Sequence, residues 1–207
     1  MAEKETSIDK LTVPPIRIPE HAVHPLFPAR WSPRAMSGEP ITREELMVLL
    51  EAARWAPSNS NNQPWRFIYS MRGSPSWERF VGLMNEGNRI WAKEAAVLIV
   101  VASKTTFDYN EKPDITHSFD AGAAWANLAH QASIQGLVAH GMAGFDYLRA
   151  AEELKIPDGY QVEAMIAIGR HGLKEDLPLK LQEREIPSGR KHTAEIAFEG
   201  EFGNQQA

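Results

Sequence analysis

The stretch over residues 54–65, Arg-Trp-Ala-Pro-Ser-Asn-Ser-Asn-Asn-Gln-Pro-Trp, constrains this chain more than any other. An apolar helical pattern ends just before it, and the run Phe67-Ile68-Tyr69 follows. A polar loop is therefore pinned between a helix and a strand. Pro57 and Pro64 fix φ and remove a donor, which stiffens both ends. Between them Ser58, Asn59, Ser60, Asn61, Asn62 and Gln63 can each donate and accept hydrogen bonds. Such a loop can hold a flat polar heterocycle or a phosphate without a metal. The alternative is an ordinary Asn/Ser-rich surface turn.

The flanks give the loop a scaffold. Thr42-Arg43-Glu44-Glu45 reads as a capping box opening a helix, and Leu46, Leu49, Leu50 and Ala53 recur at helical spacing. Residues 67–70 predict a short strand. Residues 77–84 and 90–95 predict helices, with Gly87-Asn88 breaking between them. The apolar run 95–102 suits a strand buried on both faces of a sheet. Residues 104–116 are polar and carry Pro113, a loop that could serve as a lid. Over 118–137, the small residues Ala121, Gly122, Ala123, Ala124, Ala126, Ala129 and Ala132 predict a helix ended by Gly136. Another helix or a second subunit could approach it closely. Leu137-Val138-Ala139-His140 then leads into Gly141-Met142-Ala143-Gly144-Phe145, a glycine-bracketed turn suited to close backbone approach to a ligand. A plain strand-to-helix turn is the alternative. A helix over 147–154 and a buried strand over 162–168, closed by Gly169, follow.

Residues 1–28 predict an extended arm lying over the domain surface or over a partner subunit. Pro14, Pro15, Pro19, Pro25 and Pro28 break any helix, and apolar periodicity is missing. His21 and His24 form H-x-x-H but lack the third ligand and helical context of a metal site. Arg30-Trp31-Ser32-Pro33-Arg34 places two guanidiniums around a hydroxyl on a stiff turn. That is either a bidentate phosphate contact or a pair of solvated arginines. Pro187-Ser188-Gly189-Arg190-Lys191-His192 adds a further anion contact or a solvated basic tail.

The 207 residues fit one domain. Lysine and arginine number 22 against 27 acids, a net −5, which argues against nucleic acid or an anionic membrane as partner. Cysteine is absent, which excludes disulfides, thiolate nucleophiles and cysteine-ligated metals. Met-Ala-Glu-Lys-Glu-Thr lacks an apolar h-region, and no apolar run approaches the ~20 residues that span a bilayer. A cytoplasmic protein is expected. Neither G-x-G-x-x-G after a strand, nor a P-loop, nor a G-x-S-x-G elbow is present.

Together these segments resemble the nitroreductase family of FMN-dependent flavoproteins. The family pattern A-P-S-x-x-N-x-Q-P-W is matched at Ala56, Pro57, Ser58, Asn61, Gln63, Pro64 and Trp65. Its R-x-S-x-[RK] element is matched at Arg30, Ser32 and Arg34, its G-F-D turn at Gly144, Phe145 and Asp146, and its C-terminal basic phosphate contact at Arg190. The resemblance implies an α+β fold over residues 29–207, with a mixed central sheet wrapped by helices. It also implies an intertwined homodimer with one FMN in each of two interfacial clefts. Arg30, Ser32 and Arg190 would hold the phosphate, with Trp31 in the same segment, and Arg34 would lie by the pyrimidine side of the ring. Asn88 resembles a ring-binding asparagine. Pro57, Ser58 and Asn59 would reach the partner's flavin, from a loop that also carries Asn61 and Gln63. Ala143 and Gly144, after Met142, would offer backbone amides near flavin O4 and N5. Many members carry an acid where Ala143 stands, so the motif does not fix the substrate range.

The implied chemistry passes hydride from NADH or NADPH through flavin N5 to a nitroaromatic, quinone or related acceptor, by a ping-pong mechanism in one pocket. A guanidinium beside N1 and O2 would stabilise the reduced ring. No side chain is marked as acid or base. His140 is the nearest candidate, and a structural role is the alternative. Two other readings stay open: a reductive dehalogenase-like member of the fold, and a flavin-binding or storage protein without turnover.

Overall fold

The computed structural model describes residues 12–204. The first part of the predicted arm, and the leader reading that rests on it, fall outside the described residues. Strands β1 (Trp65–Met71), β2 (Val97–Lys104), β3 (Leu137–Met142) and β4 (Tyr160–Arg170) form one sheet in the order β1-β2-β4-β3. Every pairing is antiparallel: Val100 lies opposite Ile68 on one side and Met165 on the other, and His140 lies opposite Ala167. The expected mixed sheet is thus corrected to an antiparallel one among the described residues. The apolar run in β2 does report burial on both faces. Val97, Ile99 and Val101 enter one core, and Leu98 and Val100 enter the other. Side-chain alternation encodes which face is covered, not the direction of the neighbouring strand.

The helices are α1 (Leu26–Ala29), α2 (Arg43–Arg54), α3 (Trp77–Leu83), α4 (Glu86–Ala92), α5 (His117–Ile134), α6 (Tyr147–Glu153) and α7 (Leu179–Gln182). The capping box forms as read: Glu45 N donates to Thr42 Oγ1 at 3.1 Å, and Thr42 N donates to Glu45 Oε2 at 2.7 Å. From there α2 buries Leu46, Leu49 and Ala53 in a core shared with Ala121, Ala124, Leu128 and Ala132 of α5. The opposite face of α5 leaves Phe119, Gly122 and Ala126 exposed. Phe80, Leu83, Trp91 and Ala150, from α3, α4 and α6, fill the core on the other side of the sheet.

Three local expectations are corrected. Gly87-Asn88 does not break a helix; it lies inside α4, because Asn85 caps that helix by accepting from Asn88 N at 3.1 Å. A capping side chain fixes a start more strongly than one glycine opposes it. The glycine-bracketed turn is shorter than read, since Gly141 and Met142 belong to β3. Finally, the proline-rich arm holds a helical turn, α1, that contains Pro28. A single turn tolerates proline because its first N–H groups have no intrahelical partner anyway. His24 supports that turn, its Nδ1 accepting from Leu26 N at 3.2 Å. The arm is also tied to the tail: Glu20 accepts from Thr193 N at 2.8 Å and contacts His192 Nδ1.

Candidate active site

Arg30, Trp31, Ser32, Arg34, His140 and Arg190 line one pocket of about 300 Å³. Residues from three distant segments thus converge. The 30–34 segment is held from beneath by Glu185, whose Oε1 accepts from Arg34 N at 2.7 Å and Ala35 N at 2.8 Å. Its other oxygen, buried and without a hydrogen bond, lies 3.9 Å from Arg34 Nη1. Arg30 Nη1 donates to Ser32 Oγ at 3.2 Å, and Arg190 Nη1 donates to Ser188 Oγ at 3.2 Å. The pocket also takes Ser188, from the tail read as a further anion contact, and Arg17 and Arg184, which sequence reasoning missed. They lie in irregular segments without periodicity, so only the chain's return brings them here.

Charge is the pocket's main property. Five arginines line it, and among the described residues the acid that reaches them is Glu185, at hydrogen-bond distance only from backbone. Burial and then Arg190 hold the Arg30 guanidinium below its ordinary pKa. Burial and then Arg30 push His130 down in the same way. A cluster of like charges in a partly desolvated pocket raises the free energy of each, and an anion relieves it. A phosphate monoester, with about −1.5 to −2 charges at neutral pH and three acceptor oxygens, suits this donor set.

His140 stands at the inner wall. Its Nδ1 lies 2.9 Å from the Pro33 carbonyl, so that nitrogen carries the proton and donates. Its ring packs on Trp91 of α4, with centroids 4.7 Å apart. Burial lowers its pKa, keeping the imidazole neutral at physiological pH. It therefore braces the turn that carries Arg34.

Further along β3, Met142 turns its side chain into the core beside Met165, so only its backbone can face a ligand. Ala143 and Gly144 follow. Asn88 Nδ2 donates to the Gly144 carbonyl at 3.0 Å, and Asn85 N donates to the same oxygen at 3.0 Å. A Cβ on Gly144 would meet Asn85 Nδ2 at 2.5 Å and Asn88 Nδ2 at 2.7 Å. Any larger residue would have to displace both amides where the turn meets α4. Three residues lie between His140 and Gly144, so at most ~14 Å of chain joins the cationic pocket to the turn.

The polar loop stands elsewhere. Pro57, Ser58, Asn59, Asn61 and Gln63 do not line the cationic pocket. Asn59 N donates to Asp120 near the start of α5 at 2.9 Å, Gln63 N donates to Ser58 Oγ at 3.0 Å, and Gln63 Nε2 donates to the Asn61 carbonyl at 3.0 Å. Asn62 Nδ2 donates to the buried Asp114 at 2.8 Å, which ties the loop to 104–116. That segment is itself bridged between Thr106 and Pro113 and braces the loop. Ser60, Asn61 and Gln63 all take positive φ near 50°. The cationic pocket adjoins α1, whose Phe27 packs on His130 of α5 at 5.1 Å. Asp120 and His130 are ten residues apart, about 15 Å along the helix axis. The polar loop and the cationic pocket therefore stand apart on one chain.

A part-buried serine–histidine contact escaped sequence reasoning. Ser103 Oγ lies 2.7 Å from His117 Nδ1 and bonds to Glu163. Ser103 is fully buried, so the trio braces the start of α5 and offers no accessible nucleophile.

A four-stranded antiparallel sheet between helical layers, with an arginine-lined pocket against edge strand β3 and a glycine turn after that strand, defines an α+β protein whose pocket suits an anion. The chain belongs to the Nitroreductase family, whose pattern it matches over residues 28–74 and 70–170. It shares 52% identity with a protein whose crystal structure is described as an oxidoreductase containing FMN, covering 91% of this chain and 96% of that one at a TM-score of 0.88. An uncharacterised 15.4 kDa protein of Mycolicibacterium smegmatis is 34% identical over 148 residues, 67% of this chain and 98% of that protein. A Streptomyces coelicolor protein with the provisional name NADH dehydrogenase/NAD(P)H nitroreductase is 27% identical over 167 residues, 71% of this chain and 84% of its own length. Among the described residues no helix is long and apolar enough to cross a membrane.

Proposed function

We propose that the protein is an FMN-dependent NAD(P)H oxidoreductase, with the FMN phosphate in the arginine pocket and the ring beside the Gly144 turn. The observation that carries this reading is the convergence of Arg30, Ser32, Arg34 and Arg190 on one pocket, a short stretch of β3 away from a glycine turn packed on Asn88. A cationic end and a polar flat end at that separation suit one elongated mononucleotide. The 52% identity to an FMN-containing oxidoreductase supports the same choice.

In this reading Arg30, Ser32 and Arg190 bind the phosphate, and Arg34, anchored through Glu185, supplies positive charge near the ring. His140 holds the Pro33 carbonyl and keeps that turn fixed. FMN, when bound, supplies the two-electron hydride chemistry. Orientation and electrostatics are the chain's contribution. We also infer a homodimer, because the 57–63 loop of each chain is preformed far from its own phosphate pocket and fits the role of completing a partner's. Nitroaromatics and quinones are the acceptor class that an open flat site over one ring face would take.

The test is anaerobic mixing with NADH or NADPH, then with an acceptor panel. Bleaching of the flavin's visible absorption, followed by reoxidation with a nitroaromatic or quinone, is expected. Initial rates with both substrates varied should give parallel double-reciprocal lines. Intersecting lines would require both substrates bound together and overturn the shared site. A flavin that neither nucleotide reduces would leave a flavin-binding protein.

A further inference from the structure

We propose that Arg17 makes the N-terminal arm a working part of the cofactor site: it positions the two segments that carry Arg30 and Arg190 and adds a third charge at the phosphate end. This rests on the FMN reading above. Arg17 precedes the stretch that matches the family, which begins at residue 28.

Arg17 is the buried charge of an otherwise exposed arm, 9% exposed while Ile16 and Ile18 on either side are 62% and 85% exposed. Its guanidinium is spread across both walls of the pocket. Nε donates to the Ser188 carbonyl at 2.9 Å, and Nη1 donates to the Pro28 carbonyl at 3.2 Å and to the Arg30 carbonyl. Pro28 and Arg30 belong to one phosphate segment and Ser188, 171 residues after Arg17, to the other, so one side chain joins them. A lysine could reach one carbonyl but could not span three, because only the guanidinium presents a rigid planar fork.

The electrostatics point the same way. Carbonyl oxygens accept from Nε and Nη1 but bring no formal charge. No carboxylate pairs with Arg17 among the described residues, and its Nη2 makes no hydrogen bond there. Burial, then Arg190, then Arg30 hold its pKa below the ordinary arginine value. A purely structural arginine is cheapest where a carboxylate neutralises it. Arg17 instead sits buried among like charges, an arrangement that a bound dianion stabilises.

The experiment is a titration of the apoprotein with FMN and with riboflavin, read by quenching of flavin fluorescence, on wild type, Arg17→Ala and Arg17→Lys. Wild type should prefer FMN by about tenfold or more, the scale of lost charge-assisted contacts. Arg17→Ala should lose about tenfold in FMN affinity while riboflavin affinity moves less than about twofold. Arg17→Lys should recover only part of that loss. Unchanged FMN affinity in Arg17→Ala, with wild type still preferring FMN, overturns the proposal and leaves the FMN reading standing. Equal losses for both flavins make Arg17 a general structural brace and also overturn it. A wild type that does not distinguish the two flavins sinks the phosphate pocket itself. If Arg17→Ala does not fold, Arg17→Lys decides: an FMN affinity equal to wild type refutes the positioning role.

Discussion

At the scale of single residues, the site depends on how the chain's cations are aimed, and two substitutions probe that. Arg34 is anchored at its backbone by Glu185, yet its guanidinium stays 3.9 Å from that carboxylate, too far for a hydrogen bond. Its charge is therefore only partly spent. Arg34→Ala should lower the midpoint potential of bound FMN while leaving most FMN bound, since charge on the ring appears only on reduction; ~1.4 kcal/mol of lost stabilisation is tenfold in the equilibrium. Spectroelectrochemistry checks this, and an unchanged potential would place Arg34 away from the ring. Gly144→Ala tests the turn. The added methyl would meet the Asn85 and Asn88 amides at 2.5 and 2.7 Å, both flexible ends, so urea unfolding should show a loss of about 1–3 kcal/mol. Arg30, Ser32 and Arg34 were legible because they share five residues of sequence. Glu185 was not, because a buried carboxylate beneath a loop has no local signature.

At the scale of elements, local rules that compete were the ones misread. The capping box of α2 stood alone and formed as written, whereas the Asn85 cap of α4 was hidden by the Gly87-Asn88 pair just after it. Thr42→Ala should accordingly cost about 1 kcal/mol in urea unfolding, with Thr42→Ser recovering most of it. The arm and tail are a second case, invisible to periodicity because both are irregular. Glu20 is held down to about 2 by hydrogen bonds from Thr193 and His192, and His192 is raised by Glu20 and, less, by Glu195. The signs set a window. The depressed Glu20 contributes to docking above the ordinary carboxylate range and loses it as pH falls toward about 2. The raised His192 contributes fully below its ordinary value and loses it as pH rises through its folded pKa. Limited proteolysis within residues 12–24 should therefore be slowest in mildly acidic buffer and faster above neutrality. In His192→Ala the alkaline rise should vanish; a rise that persists would show that the pair does not hold the arm.

At the scale of the whole molecule, the resemblance already assigned Pro57, Ser58 and Asn59 to a partner's flavin, which neither composition nor spacing could do. The folded chain holds the 57–63 loop and the 30–34 segment apart along α5 by about 15 Å. The surface near that helix explains what could rejoin them. Ile115 is 92% exposed, Phe119 80% and Trp55 71%, and Gly122 and Ala126 continue the open face of α5 without bulky side chains. Large apolar residues left in water around a small-residue face fit a subunit interface better than a free surface. An interface of that kind is large and apolar, and folded subunits then depend on association. The protein should elute and scatter as a dimer at micromolar concentration. Phe119→Glu should shift it toward monomer and weaken flavin binding together, because the same contact would bring the loop to the partner's pocket. Light scattering and a flavin titration on one sample of that variant decide it. A monomer that binds FMN as tightly as wild type would show that each chain completes its site alone.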